Sequence, residues 1–281
     1  MQILHSAINM VSSPFRVCIV YMSTNGSTRA LAKMIAASFP ENWDTVLFDL
    51  AKVELNNEVF RNSIEEATIL GVGSPVFHLD ILPPVQKFLD SLSMINGERY
   101  AFSFVTYGHV STGKSVWELS KSLHKKGYIF LSAFKTTAPY FYQDLDFPQT
   151  SLDEYVNEFS ETIQNRLHDP IPWTNLSEDL KFYSTRVKIL YYISRLTRRF
   201  RIPDIDFDKT LCRECGRCES ICPVQAIDIT TLPDRDDSCI HCFACAKSCP
   251  TGAISYDKKR WQEVSAFNKS RLTESPEIAV I

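Results

Sequence analysis

The sequence predicts an α/β protein, a doubly wound five-stranded parallel sheet followed by a small α+β domain held together by metal. Three observations lead there. Apolar runs alternate with stretches of helical periodicity through the first half of the chain. A polar Ser/Thr/Asn/Gly loop separates the first such run from the first helical stretch. Eight of the nine cysteines crowd between Cys212 and Cys249, in two copies of one spacing.

Residues 15–21 read as a buried strand, a short continuous apolar run. After a polar loop, residues 30–39 repeat their apolar side chains at helical spacing. Further strand-like runs cover 45–49, 68–73, 100–107 and 128–136, and helical stretches cover 84–91, 114–126 and 152–167. Strands and helices in alternation imply crossover connections and a parallel sheet with helices on both faces.

In such a sheet ligands sit beyond the C-terminal ends of the strands. The first strand is followed by Ser23, Thr24, Asn25, Gly26, Ser27 and Thr28, which run straight into a helix. Hydroxyls, an amide and backbone N–H groups converge there on a helix N-terminus, a natural place for a phosphate. The third strand is followed by Ser74, Pro75, Val76, Phe77 and His78, and the fourth by Tyr107, Gly108, His109, Val110, Ser111, Thr112 and Gly113. Both loops are turn-rich and carry aromatic side chains able to flank a flat ring. Plainer readings stand beside these. A Ser/Thr/Asn/Gly cluster before a helix also caps it, aromatics at loop bases pack, and His78 and His109 suit surface hydrogen bonding. Cys18, inside an apolar strand, reads as buried and inert.

The cysteine spacing carries the most specific chemistry. Cys212, Cys215 and Cys218 stand at two-residue gaps, followed by Cys222-Pro223; Cys239, Cys242 and Cys245 repeat this, followed by Cys249-Pro250. Three cysteines so spaced wrap three corners of an iron–sulfur cube, and the proline stops the chain from continuing that loop. The fourth cysteine of each set then ligates the other cluster. Cys212, Cys215, Cys218 and Cys249 are thereby assigned to one [4Fe–4S] cluster, and Cys239, Cys242, Cys245 and Cys222 to the other. The halves are offset by 27 residues and agree beyond the ligands, with Ala226-Ile227 matching Ala253-Ile254. A domain this small has little apolar core, so its clusters hold it together. Zinc needs neither the third cysteine at that gap nor the proline, and intracellular thiols are kept from forming disulfides.

Composition bounds the rest. At 281 residues and 44% hydrophobic the chain is long enough for one or two domains. Thirty basic and 33 acidic residues give a net charge of −3, with no electrostatic footprint for nucleic acid. No apolar run has the length of a membrane helix. Residues 1–14 carry neither a basic start nor a long apolar stretch, so the reading is a cytoplasmic protein without a transmembrane segment.

The cysteine region resembles the bacterial two-cluster ferredoxins over residues 204–258. The loop from Ser23 to Thr28 resembles the flavodoxin phosphate loop, with Asn25 where a threonine is usual. The chain over 15–258 is similar to the flavodoxin–ferredoxin fusion proteins of anaerobes. That resemblance implies a flavodoxin-like sheet of order 2-1-3-4-5 and a bound FMN. Its phosphate would be held by Ser23, Asn25, Ser27, Thr28 and neighbouring N–H groups, and its ring by the Ser74–His78 and Tyr107–Gly113 loops, with Phe77 and Tyr107 as flanking aromatics. The implied organisation is an FMN domain at 15–168, a helical connector at 169–203, a cluster domain at 204–258 and a tail at 259–281. Within the connector, residues 181–201 read as a helix with a wide apolar face and a cationic end at Arg195, Arg198, Arg199 and Arg201. Ile221, Ile240 and Phe243 would shield the clusters from water.

One-electron clusters beside a one- or two-electron flavin imply an electron carrier between redox proteins. A flavin-dependent reductase of a small acceptor, fed by the clusters, is the alternative; a cofactor-free docking module is a third. No constellation of acid, base and nucleophile stands out, and no Gly-x-Gly-x-x-Gly motif for a nicotinamide cofactor is present.

Overall fold

The protein is described here from a computed structural model, which covers residues 15–140, 143, 145–181, 185, 188–189, 192–193, 205–231 and 235–281. Its N-terminal part alternates β1 (Arg16–Tyr21), α1 (Ser27–Ser38), β2 (Asp44–Asp49), α2 (Glu58–Glu66), β3 (Ile69–Pro75), α3 (Pro83–Ser91), β4 (Tyr100–Tyr107), α4 (Ser115–Lys125), β5 (Ile129–Thr137) and α5 (Asp153–His168). Strands β1 to β5 are parallel and ordered β2-β1-β3-β4-β5, the doubly wound order that the flavodoxin resemblance implies.

Burial explains why these segments read as they do. Every residue of β3 is buried, so the strand lacks polar alternation. On β3 a Cβ at Gly71 would fall 2.3 Å from the Phe102 ring, and one at Gly73 2.2 Å from Phe104. The two glycines make room for phenylalanines of the neighbouring strand. One face of the sheet packs Leu31, Ile35, Phe159 and Ile163 from α1 and α5. The other packs Phe60, Val85, Phe88, Leu119 and Leu123 from α2, α3 and α4. Helix α2, which the periodicity does not single out, is capped by Asn57, whose side chain accepts from the Phe60 N–H at 3.0 Å. Helix α3 starts on Pro83-Pro84, whose fixed φ suits the first turn.

Beyond α5, helix α6 (Trp173–Asp179) lays Trp173 against His124 and Trp117 of α4, at 4.4 and 5.7 Å between ring centroids. Most of 181–201, with all four arginines of the expected cationic end, lies outside the described residues.

The C-terminal part contains β6 (Ile205–Phe207), α7 (Arg217–Ile221), α8 (Ala244–Ser248) and β7 (Ile254–Tyr256). β6 and β7 pair antiparallel, and Ile227 forms an isolated antiparallel bridge with Arg235. Each Ala-Ile end thus meets the segment that leads into a cysteine set. Its own core is small: Ile227, Cys245 and Ile254, with Ile205, Phe207, Cys218, Cys222 and Cys249 against them.

Residues 259–281, read from the sequence as a tail, are built into the fold. α9 (Lys258–Leu272) follows β7, and β8 (Ala279–Val280) pairs antiparallel with β5, as a sixth strand at the sheet edge. Between them Glu274 is drawn inward. Its carboxylate accepts from the Thr112 N–H at 2.7 Å and the Ser111 hydroxyl at 2.9 Å, and it forms an ion pair with Lys135, a lysine of β5 with a fully buried side chain. Among the described residues no helix is long and apolar enough to cross a membrane.

Candidate functional sites

The topology brings the three expected loops together at the C-terminal ends of β1, β3 and β4. Asn25 donates its side-chain N–H to the Pro139 carbonyl at 3.4 Å, tying the first loop to the end of β5. Lys114 donates its backbone N–H to the Leu79 carbonyl at 3.1 Å, and its ammonium lies 3.0 Å from Asp80. A Cβ on Gly113 would fall 2.2 Å from the Leu79 oxygen, so the loops after β3 and β4 pack backbone to backbone.

In the first loop, Ser23 Oγ accepts from the N–H groups of Gly26 at 3.1 Å and Arg29 at 3.2 Å. Asn25 Oδ1 accepts from the Ser27 N–H at 3.4 Å. These side chains therefore cap α1 and shape the turn. Thr28 points inward, its hydroxyl 2.8 Å from that of Thr106. The Thr24 and Ser27 hydroxyls and the N–H groups of Thr24, Asn25 and Thr28 remain near the helix start. Gly26 takes φ +95 and nothing stands within 4 Å of where its Cβ would be. The first turn of α1 contains no acidic residue. An open cradle on a helix N-terminus without a competing carboxylate fits a phosphate.

The other two loops are more enclosed. Phe77 and Asp80 exchange backbone hydrogen bonds at 3.0 Å across a tight turn whose central residues, His78 and Leu79, take φ 53 and 65. Two non-glycine residues at positive φ are unusual outside functional loops. Ser74 accepts from the Leu82 N–H at 3.4 Å, and Val76 donates to the Thr106 carbonyl at 2.8 Å. Val76 and Phe77 rest against the core. Gly108 lies under the Tyr140 ring, where a Cβ would meet it at 2.4 Å, and His109 takes φ 53 beside that ring. Tyr107 is buried and donates its hydroxyl to the Glu277 carbonyl at 2.8 Å. Burial, then the charges of Glu274 and Glu277, raise its pKa. Tyr107 is thus engaged by the C-terminal segment rather than presenting an open ring face.

All nine cysteines are free thiols. Cys18 is buried and its thiol is pushed up to about 12 by burial, in keeping with an inert core residue. The neighbourhoods of the other thiols overlap, Cys245 feeling the charges of Cys239, Cys222 and Cys218. Cys218 feels the charges of Cys212 and Cys215, whereas Cys242 feels those of Cys245, Cys222 and Cys239. Cys222 therefore sits with the second triplet, across from its own motif. Among the described residues no three Cys, His, Asp or Glu side chains converge on a single-ion site. Burial pushes Cys242 up to about 12 and Cys245 up to about 11. Because ligands bind as thiolates, metal occupancy must supply the compensating charge. Donors are already directed at sulfur: the Ala226 N–H at 3.2 Å from Cys222, the Glu214 N–H at 3.4 Å from Cys212, and the Arg235 guanidinium at 3.9 Å from Cys239. Ile240 and Phe243 are buried beside the second triplet as expected, but Ile221 is 46% exposed.

The sequence reading missed Lys135, Glu274 and Trp261. Trp261 of α9 lies 5.5 Å from Phe243 and 6.4 Å from His78, ring centroid to centroid. A lysine inside the apolar run 128–136 was the one visible signal of a buried ionic partner.

A family model described as a 4Fe–4S dicluster domain matches residues 204–250. Over 54 residues the chain is 35% identical to a ferredoxin of Methanothermococcus thermolithotrophicus, covering 18% of this chain and 90% of that one. An uncharacterised protein of Methanocaldococcus jannaschii is 38% identical over 76 residues, so the chain spans only 27% of that relative's length. Among solved structures, a flavodoxin from the domain Archaea aligns over 53% of this chain and 98% of its own, at 20% identity and a TM-score of 0.39. At those values the N-terminal fold rests on its own strand order.

Proposed function

Because the chain belongs, through residues 204–250, to the ferredoxin family with 4Fe–4S dicluster domains, we propose that it is a cytoplasmic flavo-iron–sulfur electron carrier holding two [4Fe–4S] clusters and one FMN. The observation that carries the two-cluster reading is the position of Cys222 among Cys239, Cys242 and Cys245. Crossed ligation of this kind is how paired clusters share two motifs. Cys212, Cys215, Cys218 and Cys249 hold the other cluster in this reading. The doubly wound sheet, the open cradle at Gly26 and the convergence of three loops support FMN at the strand ends.

When bound, the clusters supply single electrons and FMN accepts one or two. The residues do the rest. Thiolates hold the clusters, and N–H groups of Ala226 and Glu214 steady two of them. Thr24, Ser27 and the N–H groups at the start of α1 orient the phosphate, with Ser23 and Asn25 setting the turn. The stretches from Ser74 to His78 and from Tyr107 to Gly113 enclose the ring. A groove of about 1450 Å³ lies between the domains, lined by residues such as Leu50, Lys52, Pro84, Val224 and His241. No residue of the ring loops lines it. Anaerobic purification with iron, sulfide and released-flavin analysis tests the reading. About eight irons and one FMN per chain would support it, and eight irons with no FMN uptake on reconstitution would remove the flavin half.

A further inference from the structure

The two cysteine sets are related by the 27-residue offset, yet the structure treats them unequally. In the first set Cys215 is exposed, flanked by Leu211 and Ile221 with nearly half their surfaces in solvent. In the second, Cys242 and Cys245 are buried, and Ile240 and Cys242 join the main apolar core of the sheet domain. The contrast is sharpest at one repeat position. Gly216 opens α7 with φ +69, and nothing stands within 4 Å of where its Cβ would be. Its counterpart, Phe243, opens α8 with φ +57. A phenylalanine in the left-handed region is strained where glycine is not. Its side chain must therefore repay the backbone.

The packing says how. Phe243 is 1% exposed and its ring lies 4.6 Å from Tyr256 and 5.5 Å from Trp261. Trp261 in turn lies 6.4 Å from His78, in the strained turn after β3. Phe243 and Trp261 thus connect the Cys242–Cys245 loop to a loop of the proposed flavin site. The first set has no such connection among the described residues.

We infer that the clusters act in a fixed order: the one held by Cys212, Cys215, Cys218 and Cys249 is the outer port, and the one held by Cys239, Cys242, Cys245 and Cys222 is the inner relay, positioned against the flavin by Phe243 and Trp261. This rests on the proposed two-cluster, one-FMN reading. The residues of the first set would hold the cluster that exchanges single electrons with an external redox partner, and those of the second set the cluster that would exchange them with FMN. Cys239 borders the interdomain groove.

The test uses holoprotein with its iron and FMN content measured first. Content below two clusters and one FMN in the wild type defeats the underlying reading and leaves the order without an object. With full content, two measurements decide the order itself. In stopped-flow reduction by dithionite, Trp261→Leu should leave cluster bleaching unchanged, and both it and Phe243→Gly should slow the following flavin bleaching severalfold. Phe243→Gly installs the residue that Gly216 already uses at this backbone angle, so the loop keeps its shape. Unchanged flavin bleaching in both variants overturns the inference. Under mild oxidation with an iron chelator, wild-type iron should leave in two phases, and Cys215→Ser should abolish the fast one alone. A single phase, or a fast phase that survives in Cys215→Ser, overturns it equally.

Discussion

Replacing Glu274 by alanine tests how the C-terminal segment is held. Lys135 is fully buried in β5, and Glu274 meets it while accepting from the Thr112 amide and the Ser111 hydroxyl. Removing one partner of a buried ion pair costs about 3–5 kcal/mol, because the other charge stays in the interior. At roughly 2–4 °C per kcal/mol for a domain of this size, the midpoint should fall by about 6–20 °C. Glu274→Gln keeps an oxygen for the Thr112 and Ser111 donors and loses only the charge, so its loss should be smaller. Lys135→Met combined with Glu274→Gln removes both charges while keeping an oxygen for the Thr112 and Ser111 donors, and should recover most of the loss. Anaerobic scanning calorimetry of the holoprotein reads all three. A midpoint for Glu274→Ala within a few degrees of wild type, or a double variant no better than the single, would refute the argument.

Three further perturbations follow from other contacts. Gly113→Ala places a Cβ 2.2 Å from the Leu79 oxygen at φ +59; it should cost at least about 1–2 kcal/mol and lower FMN retention on gel filtration while iron content holds. Arg235→Gln removes a cation 3.9 Å from the Cys239 sulfur; since reduction adds negative charge there, that cluster's potential should move down in an EPR-monitored titration, and a rise would contradict the assignment. His124 is stacked on Trp173, and burial lowers its pKa. Its folded value lies below the unfolded one, so its stabilising effect is present above about pH 6.5 and is lost as pH falls. His124→Phe keeps the stacking without the titration, and should flatten the acid-side decline in urea midpoints.

Much of this was legible in the chain. The five parallel strands fall within two residues of their apolar runs because both faces of β3 and β4 are covered, leaving an uninterrupted hydrophobic signal. The repeated cysteine spacing is read directly from the chain, while the crossed grouping of the fourth cysteines comes from the ferredoxin resemblance. What escaped had no local signature. α2 has only Phe60 buried, so its periodicity is faint. β8 is two residues long and depends on β5 for its existence. The inward turn of Thr28 toward Thr106 and the engagement of Tyr107 by Glu277 depend on segments far away in sequence. Phe243 was visible in principle: aligning the halves sets it opposite Gly216, a substitution that backbone sterics alone would not choose.

The antiparallel pairing of β8 with β5 makes the cluster domain an excursion from the sheet rather than an appendage to it. The chain leaves the sheet domain after α6 and returns to it at Ala279, so the cluster domain is leashed at both ends. A singly tethered module can swing away and re-dock; a doubly tethered one searches a far smaller volume, which raises the effective concentration of one redox centre at the other. Dissection by truncation would be misleading for the same reason. A fragment ending before β6 would lose β8 and bare the edge of β5, a long and almost wholly buried strand, inviting another copy to pair with it. The two halves are separable on paper, but cutting between them would damage the sheet.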